Sequence, residues 1–334
     1  MKAVDIKGGR GERDALFINA DTPKPVAAEG QAIVKVEAFG INRMDILQRR
    51  GLYPVPPQAP PTLGVEFSGT IESFGPGDRG RGSSLAVGDR VLGLAYGGAY
   101  AEYVAVGCRT LLRKPDHLSY AQAAAVPEAW MTATQALHMV LGFAAGRSIL
   151  WHAGASGVGV AGIQLSRAAG AGDVFATAGS DAKCAFVTSR LGATAAFNYK
   201  TEDWVRRVKD RTGGRGVDYI VDFVGADFFA KNLDVAARDC RIVLLGTLSG
   251  GRVADADISQ MLHKRIRIEG SSLRSRHQDY QGELRDRLEA YWPKFEDGTF
   301  KIVVDKVLPW ERIQDAHEHM EEARNMGKIV CTIS

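Results

Sequence analysis

Between Ser148 and Gly159 the chain reads SILWHAGASGVG, and these are the residues whose types and spacing suit the holding of phosphate. Gly154, Gly157 and Gly159 fall close together, with Ser156 and Val158 between them. A short apolar run, Ile149-Leu-Trp151, precedes them, and an amphipathic stretch, Val160 to Arg167, follows. Strand, tight turn and helix in that order is the context a dinucleotide-binding loop requires. Gly154 is expected to allow the turn, Gly157 to let backbone approach a pyrophosphate, and Gly159 to pack helix on strand. The phosphates would then meet unpaired N–H groups at a helix N-terminus. The spacing Gly154-x-x-Gly157-x-Gly159 departs from the common G-x-G-x-x-G, so the flanking strand and helix carry the reading.

The elements that must position this loop follow from apolar periodicity. Expected strands are Ser148–His152, Asp173–Thr177, Ala195–Asn198, Val217–Phe223, Cys240–Leu245 and Arg265–Ile268. Helices are expected near Val158–Ala169, Asp181–Leu191, Glu202–Thr212, Phe228–Ala236 and Asp257–Leu262, preceded by a helical pattern over Trp130–Leu141. Six strands with helical crossovers predict an α/β domain, a Rossmann-type, doubly wound parallel sheet over residues 123–270. Such sheets bind ligands at the carboxyl ends of their strands, where Gly225 and Gly246-Thr-Leu248 follow the fourth and fifth strands. Residues 1–122 alternate short apolar runs with glycine and proline turns, which predicts a strand-rich, partly barrel-shaped domain. Within it, Asn42–Arg49 reads as a helix, and Tyr53-Pro-Val-Pro-Pro-Gln-Ala-Pro-Pro as a loop. Residues 271–334 carry a helical pattern over Tyr280–Phe295, a strand over Lys301–Leu308, a helix over Trp310–Arg324 and a strand over Lys328–Cys331. They have no place in the nucleotide sheet and are expected to return to the first domain.

Bulk properties exclude some functions. The 334 residues are 45% hydrophobic and 24% charged, a globular composition with room for two cores. A net charge of +3 from 42 basic and 39 acidic residues gives no basic surface for nucleic acid. No apolar run reaches membrane-spanning length. Cys108, Cys184, Cys240 and Cys331 lie too far apart for a metal pair or a disulfide framework, and a cytoplasmic location is expected.

Where a second strand ends, an NAD site carries an acid for the ribose hydroxyls. Here that segment is Ala176-Thr-Ala-Gly179-Ser180-Asp181-Ala-Lys183. Gly179 and Ser180 leave room there, and Lys183 is suited to a 2′-phosphate, or else is a solvated helix lysine. Asp181 is an acid close by, or simply caps the next helix. The balance favours NADPH. Leu273-Arg274-Ser-Arg276 reads either as a reach toward phosphate or ribose or as a solvated loop. His138, His317 and His319, on expected helices without ligand spacing, read as surface or packing residues.

A further set of motifs spans the chain: Asn42-Arg-Met-Asp45, Gln48 to Tyr53, Leu63-Gly-Val-Glu66-x-Ser-Gly69, Gly88-Asp-Arg-Val91, Ala124 to Trp130, His152 to Gly159, Phe197-Asn-Tyr-Lys200 and Gly327-Lys-Ile-Val330. In this order and spacing the sequence resembles the zinc-free quinone oxidoreductase branch of the medium-chain dehydrogenase/reductase superfamily. The resemblance implies a GroES-like catalytic domain built from both chain ends, with a nucleotide domain between them. It implies no metal: zinc-dependent members carry Cys near the present Asn42 and Gly-His-Glu where this chain has Gly64-Val65-Glu66, and valine offers zinc no lone pair. By the same resemblance, Tyr53 and Asn42 border the substrate. Tyr53 either hydrogen-bonds a quinone oxygen or serves as an aromatic lid; Asn42 either faces substrate or pins its helix. Thr132, Ser156, Tyr199 and Asn325 match cofactor-contacting positions, with Ser156 open to a purely local role in its turn. The implied activity is NADPH-dependent reduction of a small quinone. A 2-enoyl thioester or enone reductase is the alternative, and an NADPH-binding structural protein or single-stranded nucleic-acid binder the non-enzyme one. Relatives pair the sixth-strand edge, so a homodimer is expected, or a tetramer built from it.

Overall fold

Apolar alternation in the first hundred residues becomes a set of strands that needs the far end of the chain to finish it. The structure, a computed structural model, describes residues 1–77 and 84–333. In chain order come β1 (Ala3–Ile6), β2 (Leu16–Asn19), β3 (Gln31–Ile41), α1 (Arg43–Arg49), β4 (Glu66–Phe74), β5 (Arg90–Leu94), β6 (Tyr103–Gly107), β7 (Leu111–Arg113), α2 (Tyr120–Ala124) and α3 (Pro127–Thr134). The strand β2, which the apolar pattern did not reveal, pairs antiparallel with β1. The expected helix over Trp130–Leu141 is α-helical only to Thr134 and continues as a π-helical turn over Gln135–Val140.

Next follow β8 (Ile149–Trp151), α4 (Gly157–Ala168), β9 (Val174–Ala178), α5 (Asp181–Leu191), β10 (Ala195–Asn198), α6 (Trp204–Arg211), β11 (Val217–Asp222), α7 (Ala226–Val235), β12 (Ala236–Leu244), α8 (Ser259–Lys264) and β13 (Arg267–Gly270). The six strands form one sheet in the order β10-β9-β8-β11-β12-β13, every neighbouring pair parallel. This is the doubly wound arrangement. β8, β9 and β11 are buried along their whole length, so they read as unbroken apolar runs instead of alternating ones. The last strand begins two residues later than its apolar pattern suggests, because Arg265, with φ +53°, ends α8 in the left-handed region.

The chain closes with α9 (Gln278–Glu289), α10 (Trp292–Glu296), β14 (Val304–Pro309), α11 (Ile313–Glu321) and β15 (Lys328–Thr332). One long helix over Tyr280–Phe295 is not what forms. Pro293 lacks an N–H and sits in the first turn of a new, short helix, so the pattern splits in two. The strand expected over Lys301–Leu308 starts only at Val304, and the stretch from Trp310 opens with a 3₁₀ turn and stays α-helical only to Glu321. β15 pairs antiparallel with β3, and β14 parallel with β15, extending the first sheet to the order β14-β15-β3-β4-β5-β7 with β6 on β3.

Two compact units result: Met1–Met131 together with Arg274–Ser334, and Thr132–Leu273. The first has its own core, in which Phe39, Phe67, Tyr100 and Trp310 are the largest buried side chains. The second packs Phe175, Phe197, Trp204 and Phe228 against its sheet. Among the described residues no helix is long and apolar enough to cross a membrane.

Candidate functional site

In the unit Thr132–Leu273, β8 delivers its chain directly into the glycine loop. His152 N–H bonds the carbonyl of Val221 at 3.0 Å and Gly154 N–H that of Thr177 at 2.9 Å, so both neighbouring strands anchor the turn. The left-handed residue is Ala153, φ +49°, and not Gly154. Gly154 is needed for space instead, since a Cβ there would lie 2.7 Å from the Ala176 methyl on β9. Gly159 fits against the loop's own backbone, where a Cβ would lie 2.5 Å from the Ala153 carbonyl oxygen, while the close packing of helix on strand falls to Gly162, which lies over the Trp151 ring. Ser156 caps α4, its Oγ accepting from Gly159 N–H at 3.1 Å. Gly157 and Val158 open the helix, where unpaired N–H groups suit a phosphate.

A buried imidazole braces this loop. His152 has its Nδ1 2.9 Å from Thr177 Oγ1 and its Nε2 2.7 Å from Asn232 Oδ1. Asn232 in turn donates to Asp222 at 2.9 Å, and the other Asp222 oxygen accepts from Val224 and Gly225 N–H. Burial lowers the His152 pKa, which keeps the ring neutral. The network ties the carboxyl ends of β8, β9 and β11 to α7.

At the end of β9, Ser180 caps α5 by accepting from Lys183 N–H at 3.3 Å. Asp181 does not stand free: its carboxylate accepts from Asn198 Nδ2 at 2.7 Å. Tyr199 is 43% exposed, and a Cβ on Gly179 would meet its hydroxyl at 2.9 Å, so the phenol lies over bare backbone. Gly225, φ +86°, approaches the Gly250 carbonyl, where a side chain would sit 2.7 Å away. Gly246 lies close to Phe223, and Leu248 is exposed beside it, bonded through N–H to the Phe223 carbonyl. Thr132 and Leu273 are buried. A row of close-approach backbone and helix N–H groups along one sheet edge fits a dinucleotide.

In the unit formed by the two chain ends, the polar residues are gathered inward. Asn42 starts α1; its N–H bonds Asp45 Oδ2 at 2.8 Å, its Nδ2 bonds Glu66 Oε1 at 2.8 Å, and its Oδ1 accepts from Lys328 Nζ at 2.7 Å. The Asn42 amide is thus engaged on both sides. Glu66, wholly buried, also takes Lys328 Nζ at 2.5 Å and Glu128 N–H at 2.9 Å. Gly40 makes room for that carboxylate: a Cβ there would overlap Glu66 Oε1. Burial, with Glu66 nearby, pushes the Glu128 carboxyl up to about 7, and burial raises Asp45 to about 6 against the N–H of Asn42 and the hydroxyl of Tyr100. Tyr100 donates to Asp45 at 2.9 Å and lies edge-on to His317. Arg49 donates to His317 Nδ1 at 3.0 Å, and burial beside that guanidinium holds the imidazole down at about 3. His317 is therefore a neutral core residue, and His319 is a buried partner of Asp305 at 2.6 Å.

Tyr53 lies in the same unit, with the Arg274 guanidinium 5.3 Å from its ring centre. Arg274 is buried, donating to the Tyr96 carbonyl and to Gln48 Oε1, both at 2.7 Å, so a solvated loop is ruled out at this residue. Asn325 is also buried and donates to the Gly327 carbonyl at 2.8 Å. Sequence reasoning gave no role to Lys328, Glu128 or Asp45, although the charged residues amid apolar ones at Glu66 and Lys328 were the available signal. Among the described residues no group of three or more His, Cys, Asp or Glu side chains can hold a metal.

Comparison with known proteins adds an independent line. Residues 157–290 match the family described as zinc-binding dehydrogenase, and residues 28–116 the alcohol dehydrogenase GroES-like domain. Quinone oxidoreductase-like protein 2 of Mus musculus is 31% identical over 322 residues, covering 96% of this chain and 90% of that protein. A crystal structure of an NAD-dependent alcohol dehydrogenase is 32% identical, with a TM-score of 0.86 over 100% of both chains. The Escherichia coli quinone oxidoreductase, solved with NADPH, is 28% identical, with a TM-score of 0.85 over 99% of this chain and 100% of that one.

Proposed function

Since the chain belongs to the zinc-independent, quinone oxidoreductase-like group of the medium-chain dehydrogenase/reductase superfamily, we propose that it is an NADPH:quinone oxidoreductase that works without a metal. One observation carries the reading: the Asn42 and Glu66 side chains are bonded to each other and to the Lys328 ammonium, and the Val65 side chain has no donor atom. A metal-polarised alcohol has no ligand set there, whereas a quinone needs only a hydride and a proton. Within the group, we read the motifs along the whole chain, from Asn42 to Val330, as favouring the p53-inducible quinone oxidoreductases.

NADPH, when bound, supplies the hydride. The loop Gly154 to Gly159, with Ser156, Gly157 and Val158, is proposed to hold its pyrophosphate. Gly179, Ser180, Lys183 and Tyr199 are proposed for the 2′-phosphate end, and Thr132, Gly225, Gly246, Leu248, Leu273, Arg274 and Asn325 as further contacts. Tyr53 is proposed to donate a hydrogen bond to the quinone oxygen as negative charge builds on it, with its ring kept in place by Arg274. Asn42 supports it from the start of α1.

The test is NADPH oxidation by chelator-treated protein, with 1,2-naphthoquinone and crotonyl-CoA as competing acceptors and NADH as the cofactor control. Faster turnover of the quinone with NADPH is expected. Preference for crotonyl-CoA would move the protein to the 2-enoyl thioester reductases.

A further inference from the structure

The acid that a dinucleotide fold uses to hold the ribose hydroxyls of NAD follows the glycine loop by about 20 residues, at the end of the second strand. Gly179 and Ser180 stand at that strand end, and Asp181 follows close by, in the first turn of α5. An ionised carboxylate free to turn toward the ribose would bind the 2′-hydroxyl and repel a 2′-phosphate. In this chain one oxygen of the Asp181 carboxylate, Oδ1, is already engaged. Asn198 Nδ2 donates to it at 2.7 Å.

The direction of the Asn198 amide is fixed by its surroundings. Its Oδ1 accepts from Lys200 N–H at 3.1 Å, which turns the NH₂ toward Asp181. Its backbone N–H bonds Glu202 Oε2 at 2.7 Å, so the whole residue is held. Asn198 is 5% exposed, and the parallel register sets it beside Ala178, the residue before Gly179. The same turn carries Tyr199, whose N–H bonds the Ala178 carbonyl at 3.1 Å. One residue thus joins the third strand's end to the ribose end of the second.

We propose that Asn198 is the specificity-determining residue of the cofactor edge: by holding Oδ1 of the nearby Asp181 it keeps that acid from turning to the ribose and lets a 2′-phosphate be accepted. The proposal rests on the reading of NADPH as cofactor. It accounts for how a chain with an acid close to the NAD position selects the phosphorylated cofactor.

The experiment measures binding of adenosine 2′,5′-bisphosphate and of 5′-AMP to the full chain by isothermal titration calorimetry, with NADPH and NADH kinetics alongside. Asn198→Ser keeps a hydroxyl able to accept from Lys200 N–H but is too short to reach Asp181. It is expected to lower the preference for the bisphosphate by about tenfold, the scale of one charge released to approach a phosphate. In an Asp181→Ala background the same substitution is expected to leave the preference unchanged. Asn198→Ala replaces it if the serine variant does not fold, and Asp181→Ala alone is expected to stay within about threefold of the parent. An unchanged preference in Asn198→Ser overturns the proposal, as does a loss that persists without Asp181. A tenfold gain on removing Asp181 alone also overturns it, because the acid would then be acting in the parent. A parent protein that binds 5′-AMP as tightly as the bisphosphate would instead refute the NADPH reading.

Discussion

Replacing Glu128 by glutamine should make the protein more stable at pH 8 and change little at pH 5. Glu128 is buried, and burial, reinforced by the neighbouring Glu66, raises its carboxyl from 4.5 to about 7. In the unfolded chain it ionises near its ordinary value. Between those two values the folded state holds a proton that the unfolded state has lost, so stability is fully present below about 4.5 and falls as pH rises toward 7. A rise from 4.5 to about 7, at roughly 1.36 kcal/mol per pH unit, amounts to about 3 kcal/mol lost by pH 8. Asp45, raised from 3.8 to about 6 by burial, acts with the same sign in a lower window and is present in both proteins. Glutamine keeps the shape and a donor but cannot ionise. Urea unfolding of parent and Glu128→Gln at the two pH values is the assay. The variant is expected to gain about 3 kcal/mol at pH 8 and less than about 1 kcal/mol at pH 5. An equal difference at both values, or a variant weaker at pH 8, would refute the reasoning, since the carboxyl would then be ionised and satisfied in the fold.

Tyr53→Phe is expected to lower kcat with the quinone by about tenfold, the worth of one hydrogen bond to a charged oxygen, with KM little changed. If the ring is only a lid, kcat stays put in steady-state assays. Lys328→Met leaves Glu66 buried without its cation and is expected to cost about 3–5 kcal/mol in chemical denaturation. The exposed edge strand β13, Arg267–Gly270, is expected to pair with a second copy, and light scattering should return twice the chain mass; a monomer removes that expectation.

The nucleotide unit was legible because its signals are local. A strand, a glycine turn and a helix follow one another within twenty residues, and each later strand has its own apolar run. What the glycines do was less legible, because it depends on what lies across from them. Gly154 is set by the methyl of Ala176 and Gly162 by the Trp151 ring, neither of which a spacing rule contains. His152 stood inside a quoted motif without a role, since its partners Thr177 and Asn232 lie 25 and 80 residues along the chain. The break at Pro293 was written in the sequence, but apolar periodicity ran across it and hid it. Arg274 looked like a loop cation; only the fold brings Gln48 and the Tyr96 carbonyl to it.

The most distant of these pairings explains why the chain ends must meet. Glu66 lies on a central strand with no exposure, above a glycine that leaves space for its carboxylate. A buried carboxylate with only amide donors around it is costly, and a cation must come from somewhere. In the metal-bearing branch the resemblance puts zinc ligands at these positions; here the cation is Lys328, at the first residue of the last strand. Its ammonium reaches the Ile41 carbonyl at 3.0 Å and Asn42 Oδ1 at 2.7 Å, the residues where β3 gives way to α1. Pairing of β15 with β3 and compensation of Glu66 are therefore a single event, because the register that sets Ile329 opposite Ile41 is what brings Lys328 to Asn42. A residue from the far end of the chain thus fixes the asparagine that begins α1, and the proline-rich loop that carries Tyr53 starts from the end of that same helix.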